Sequence, residues 1–402
     1  MKKNRLFVIA QLLLLSFFLL LIATCGGSSS TTIVVPHTSA EFLYVAGNNF
    51  PSNNPQQVLG FPIDLNTGAL GAAVSVPTAN TATGVVADPA GKFLYFTDEL
   101  TGAIHGFTIN QSSGALAELA GSPFPGRPDG FPIFPSGLLI TDVQGNFVYE
   151  IEGTLWGLNK SSTGTLAPFG GFQGNALTAS IDPTNQFVYT GECNGNFTLP
   201  VCLYFKNSAG ALGSVPMDPI SSLTFVTVHD TVVHPGGGFV FASGVFDPSQ
   251  PNQPPAPVEV VLSFAVDRRT GVLSPLPALM TNLQNAVAFT DIAIHPTGKF
   301  LYVNTEDKIF AFSINAQGGL ALVPGSPFPG KFTPITGHGF RIDATGQFLY
   351  EAMLDTNFPP SPALSGIMGF RIDQNTGVLT PFPGAPFSIG AVPGVIAIAR
   401  IP

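Results

Sequence analysis

A handful of side chains in this sequence have the types and placing that hydrolytic or metal chemistry needs. His229 and His338 each stand five residues before the residue that opens a tight turn, His234 and Asp343 respectively. An imidazole changes charge near neutral pH, so either could move a proton or ligate a metal, and either could equally be satisfied by neighbouring backbone. Glu150 and Glu351 directly follow a Tyr at a place where comparable segments carry Val45, Phe96, Thr190, Ala242 and Val303. A carboxylate on such an apolar background can have a raised pKa and act as general acid or base, or hold a cation; the plainer reading is a solvated strand end or a hydrogen-bonded carboxylate. Arg127 and Lys331 supply positive charge able to polarise a carbonyl.

Several other chemistries are absent from the sequence. It contains no Gly-x-Ser-x-Gly nucleophile elbow, dinucleotide-binding glycine turn, phosphate-binding loop, Cys-x-x-Cys or His-Glu-x-x-His. An organic cofactor is not expected.

What positions these side chains is a repeat. A turn followed by an aromatic strand is written seven times: Glu41 to Tyr44, Asp88 to Tyr95, Asp142 to Tyr149, Asp182 to Tyr189, His234 to Phe241, His295 to Tyr302 and Asp343 to Tyr350. A second motif, Gly-Phe-x-Ile-Asp, a polar turn and Thr-Gly-x-Leu, alternates with it, also seven times, from Gly60–Leu70 to Gly369–Leu379. Each pair predicts a four-stranded antiparallel sheet closed by cheap turns, in which Gly supplies positive φ and Pro presets φ. One such sheet cannot bury both faces, whereas seven packed radially can. The expected fold is all-β, a seven-bladed β-propeller over residues 41–402, its ring closed by pairing the C-terminal strand from Gly394 to Ile401 with the first blade.

Composition agrees. Charged residues are 10% of the chain while Gly and Pro number 45 and 37, a mixture suited to short strands and tight turns. The Asp residues at 88, 142, 182 and 343 and the His residues at 234 and 295 fall in the tight turns, where they cap local backbone. Acids instead gather after the second strands, at Asp98, Glu99, Glu150, Glu152, Glu192, Glu306, Asp307, Glu351 and Asp355. The loops there vary, up to the Pro-rich stretch from Asp247 to Pro257, which marks that face as the functional one.

Residues 1–25 read as an export signal: Lys2, Lys3 and Arg5 precede an apolar run from Leu6 to Ala23. Ile22-Ala23-Thr24-Cys25 resembles a lipobox, making Cys25 the lipidation site and residues 26–40 a flexible tether; plain cleavage or an uncleaved anchor are the alternatives. Removing the signal leaves 24 acidic against 12 basic residues. That balance argues against nucleic acid and anionic membrane surfaces as partners, so membrane contact is expected only through the anchor. In an oxidising compartment Cys193 and Cys202 suit a disulfide across one hairpin loop, with two buried thiols as the alternative.

The repeated Gly-Lys-Phe-Leu-Tyr and Gly-Phe-x-Ile-Asp-x-x-Thr-Gly-x-Leu, with Gly-Ser-Pro-Phe at Gly121 and Gly325, resemble the seven-bladed lactonase-type propellers related to 6-phosphogluconolactonase. The resemblance implies His and Arg at the entrances of inner strands and a Glu after a second strand, all facing the central channel. His229 and His338 occupy the family's His slot, which in other blades holds Thr83, Gly137, Leu177 and Thr290. Its companion arginine is replaced by Val228 and Gly337, leaving Arg127 and Lys331 as substitutes.

Two functions follow. One is a lipid-anchored envelope protein, expected to be monomeric, presenting its loop-rich face to a small molecule, glycan or protein. The other is a hydrolase of lactones or sugar-derived esters, with His229, His338, Glu150 or Glu351 as base and Arg127 or a divalent cation at the channel mouth polarising the carbonyl.

Overall fold

The computed structural model describes residues 41–48, 56–78, 80–126, 138–151, 153–172, 176–191, 200–216, 226–246, 258–283, 291–305, 307–330, 339–353 and 365–401. The signal and tether segments, 1–25 and 26–40, lie outside them, as do Arg127, Cys193, Lys331 and His338. The described residues form seven antiparallel sheets, each a blade of four strands in radial order, blade 6 gaining a short fifth. The inner strands are Val392–Arg400 in blade 1, Ala82–Ala87 in blade 2, Leu138–Thr141 in blade 3 and Thr178–Ile181 in blade 4. Those of blades 5 to 7 are Val226–Val233, Asp291–Ile294 and Phe340–Ile342. Blade 1 is completed from both ends of the chain: Val392–Arg400 pairs antiparallel with Glu41–Asn48, setting Tyr44 opposite Ala397.

The tight turns form as their residues demand. One carboxylate oxygen of Asp88 accepts the backbone N–H groups of Lys92 and Phe93 at 2.7 and 2.8 Å, and Asp142 and Asp182 bond the matching positions. His295 takes the same place in blade 6 and reaches Gly346 O of blade 7 at 2.9 Å. These acids and histidines are turn caps.

Seven apolar clusters fill the seven boundaries between neighbouring blades. Alternation along each second strand sends the Phe and Tyr of the repeat to the following blade and the residues between and after them to the preceding one. The Tyr hydroxyl then donates to the carbonyl of the next blade's Thr-Gly type turn, as from Tyr44 to Gly114 at 2.8 Å and from Tyr302 to Gly377 at 2.9 Å. Tyr95, Tyr149, Tyr189 and Tyr350 do the same. Glycine is required there: Gly210 has φ +82°, and a methyl group on it would come within 2.5 Å of the Phe147 ring.

One feature goes beyond the expected four strands. After the outer strands of blades 2, 6 and 7 the chain doubles back, and Phe124, Phe328 and Phe387 pair with the third-strand residues Ile104, Ile309 and Ile367. The Gly-Ser-Pro-Phe exits are the sequence of this return in blades 2 and 6.

Candidate active site

The inner strands enclose a channel of about 280 Å3 lined by Leu138, Ile140, Ala179, Asp230–Val232, Ile292–Ile294 and Phe340–Ile342. Its wall is mostly aliphatic, so the polar side chains in it stand out. Asp230, buried, accepts a 2.7 Å hydrogen bond from Thr178 Oγ1 of blade 4 and a 3.3 Å bond from the Ile292 N–H of blade 6. A contact of 3.0 Å between Ser180 and Thr231 hydroxyls adds a second tie between blades 4 and 5. Arg341 of blade 7 contributes the guanidinium, half-buried, with Nη1 donating to the Phe340 carbonyl at 2.8 Å.

His229 precedes Asp230 at a β-bulge. Val228 pairs with Gly244 and Asp230 with Ser243, so His229 is the extra residue. Bulges re-aim side chains and gather near active sites. Burial pushes the His229 pKa below the usual histidine value, and the Asp230 charge partly opposes this. The imidazole is therefore neutral at neutral pH.

The other sequence candidates are placed elsewhere or fall outside the described residues. Glu150 and Glu351 are almost wholly buried between blades, Glu150 toward blade 2 and Glu351 toward blade 6. They occupy different blade boundaries, with blades 3 to 6 between them one way round the ring and blades 7, 1 and 2 the other. Each packs against the glycine that closes a returning exit: a methyl on Gly126 would lie 3.1 Å from Glu150 Oε2, and one on Gly330 3.1 Å from Glu351 Oε1. His338, Arg127 and Lys331 are outside the described residues. Cys202 is disulfide-bonded, whereas Cys193, its expected partner, is outside them too.

Asp98 is a loop cap. Burial pushes its pKa up, but hydrogen bonds from Asn80 and from the backbone of Thr101 and Leu100 more than offset this and hold it below the usual value. Among the described residues no group of three or more His, Cys, Asp or Glu side chains is placed to hold a metal ion.

Sequence reasoning missed Asp230 and Arg341. The signal for Asp230 was an acid in the middle of a Val- and Thr-rich inner strand, directly beside a singled-out histidine. Arg341 was hidden because Gly339-Phe-Arg-Ile-Asp343 has the same letters as the third-strand motif Gly369-Phe-Arg-Ile-Asp373.

Comparison with known proteins agrees with this architecture. The model of the family described as Lactonase, 7-bladed beta-propeller, matches residues 259–390. The chain is similar to the lactonase-type propellers in sequence and shares their fold. It is 27% identical over 330 residues to the 6-phosphogluconolactonase of Formosa agariphila, covering 73% of this chain and 82% of that protein. It is 24% identical over 359 residues to the 6-phosphogluconolactonase of Erwinia tasmaniensis, covering 87% and 97%. The periplasmic gluconolactonase of Pseudomonas aeruginosa shares the fold, with a TM-score of 0.62 at 15% identity, covering 90% of this chain and 99% of that one. The inner-strand His slot that the resemblance implies is occupied at His229, beside a channel acid, while the arginine on the described channel wall comes from a different blade.

Proposed function

We propose that this propeller is a lactone hydrolase acting at the central channel. The observation that carries the reading is the channel wall itself, which sets the Asp230 carboxylate and the Arg341 guanidinium in a mostly aliphatic surround, with His229 next to Asp230 at the bulge. At about 280 Å3 the channel falls just below the ~300–1,000 Å3 span usual for small-molecule sites, which suits a single small ring. The relatives named as gluconolactonases support the same substrate class.

In this reading Arg341 polarises the ester carbonyl and His229 takes a proton from the attacking water as the new C–O bond forms. The tetrahedral intermediate collapses by breaking the ring C–O bond, and the imidazolium returns its proton to the departing ring oxygen. The product is the open hydroxy acid. Asp230, held by Thr178 and Ile292, stabilises the imidazolium and fixes the bulge.

The test is turnover by the mature chain on a panel of five- and six-membered sugar lactones. His229→Gln is expected to lower kcat about 10²–10⁴-fold, and Arg341→Met to lower it with little change in circular dichroism. With burial lowering the His229 pKa, activity should rise with pH through a midpoint below the usual histidine value and then level off. Absence of turnover across the panel, or folded variants as active as wild type, would discard this reading and leave the ligand-presenting face.

The leader-like residues 1–25 support an exported, lipid-anchored placement. Metabolic palmitate labelling that is lost in Cys25→Ser is the expected result, and equal labelling of both forms would refute it.

A further inference from the structure

Two of the seven blade boundaries differ chemically from the others, and the repeat makes them comparable. The residue directly after the repeat's Tyr faces the preceding blade, and the one after that faces the following blade. At five boundaries the residues so brought together include at least one that is apolar: Ala46 with Phe96, Ile151 with Thr190, Gly191 with Ala242, Ser243 with Val303 and Ala352 with Val45. Between blades 2 and 3 they are Thr97 and Glu150, and between blades 6 and 7 they are Asn304 and Glu351.

The blade 6–7 boundary adds a second carboxylate. Asp291, buried, pairs directly across from Asn304, so both project to the same side of blade 6. That side faces blade 7, because Ala293 and Tyr302, two residues along from each, belong to the cluster filling this boundary. Glu351 closes the space from the other wall. Gly330 sits between it and Ile309, at 3.1 Å from Oε1 and 3.2 Å from Cγ1 measured to a methyl on that glycine, and Ile309 is the cross-strand partner of Asn304.

Asn304 is the independent sign of a ligand. It is fully buried, and among the described residues neither its amide oxygen nor its nitrogen has a hydrogen-bond partner. Buried side-chain amides are rarely left so in native proteins.

We propose that the blade 6–7 boundary binds a divalent cation of the hard, oxygen-preferring kind, Ca2+, through the carboxylates of Asp291 and Glu351 and the amide oxygen of Asn304. An all-oxygen set with two carboxylates and no His or Cys suits Ca2+ over zinc and its neighbours. The site is distinct from the channel and does not depend on the lactonase reading. The blade 2–3 boundary is a built-in control: it has one buried carboxylate, Glu150, and its inner strand Ala82–Ala87 carries no acid.

The experiment uses the mature chain treated with chelator and titrated with Ca2+ by calorimetry, and with Tb3+ by sensitised luminescence. One saturable site is expected, with terbium emission excited through Tyr302, which faces the same boundary. Asp291→Asn and Asn304→Ala should each weaken Ca2+ binding about tenfold or more, while Glu150→Gln leaves it unchanged. Thermal melts in chelator check the fold of each variant, and Glu351→Gln replaces any that does not fold. Absence of saturable binding to the wild-type chain would overturn the proposal. So would a loss in Glu150→Gln equal to that in Asp291→Asn, or terbium emission under tryptophan-selective excitation, since the sole tryptophan, Trp156, faces the blade 2–3 boundary.

Discussion

At the scale of single residues, burial decides which ionisable groups carry a cost. Glu259, on the third strand of blade 5, is buried, and burial lifts its pKa to about 7 from 4.5. Glu41, at the ring closure, is raised to about 7 as well, by burial and then by the charge of Asp343. A carboxyl whose folded pKa is raised favours the protonated form when folded. Its contribution is fully present below pH ~4.5 and is lost as pH rises through about 7. Glu259→Gln removes that loss, so it should raise the melting temperature at pH 8 and leave it nearly unchanged at pH 4. The gain is bounded by on the order of 3 kcal/mol. Melting curves across that range check it, and equal shifts at both pH values would contradict the assignment to ionisation.

At the scale of elements, the aromatic strand is a fastener between blades as well as a filler. Six of its tyrosine hydroxyls each satisfy a turn carbonyl on the next blade. Losing one leaves a buried carbonyl unpaired, so Tyr302→Phe should cost about 1–3 kcal/mol in chemical denaturation. Blade 5 carries Phe241 in this place, while the neighbouring turn glycine Gly318 still packs 2.5 Å, measured to a methyl on it, from the Phe239 ring. Phe241→Tyr is expected to add the seventh fastener and about 0.5–1.5 kcal/mol of stability. A destabilised Phe241→Tyr would mean that the blade 5–6 turn has a different spacing. The turn caps belong to this scale too: Asp142→Ala removes the acceptor for two backbone N–H groups and the Lys206 ion pair at 3.5 Å. The expected cost is about 2–4 kcal/mol, again read by denaturation.

At the scale of the whole molecule, the ring is held by one strand from the far end of the chain. Val392–Arg400 covers the edge of Glu41–Asn48 over most of its length. Ending the chain at Ala391 would expose that edge and the apolar faces of Leu43, Val45 and Ile367. The truncated protein should aggregate or elute as larger species than the full chain in size-exclusion chromatography. A monomeric, folded truncation would show that the seven-blade ring does not need this closure.

The fold was legible because it is local and repeated. Each tight turn opened by Asp or His, each aromatic second strand and each Gly-containing outer turn states its own geometry, and their sevenfold alternation leaves one architecture that buries both faces of every sheet. The same comparison sorted Asp88, Asp142, Asp182, Asp343, His234 and His295 into turn chemistry and singled out His229, His338, Glu150 and Glu351. What sequence alone could not decide was direction. Side chains on a second strand alternate between neighbouring blades, so the two glutamates that stood out by type lie between blades, each against an exit glycine. Asp230 and Arg341 looked ordinary on inner strands that sequence separates by about a hundred residues, and they share a wall only because radial packing brings those strands round one axis. Local turn and strand chemistry thus specified the seven blades, while the closing of the ring, a property of all of them together, decided which side chains meet.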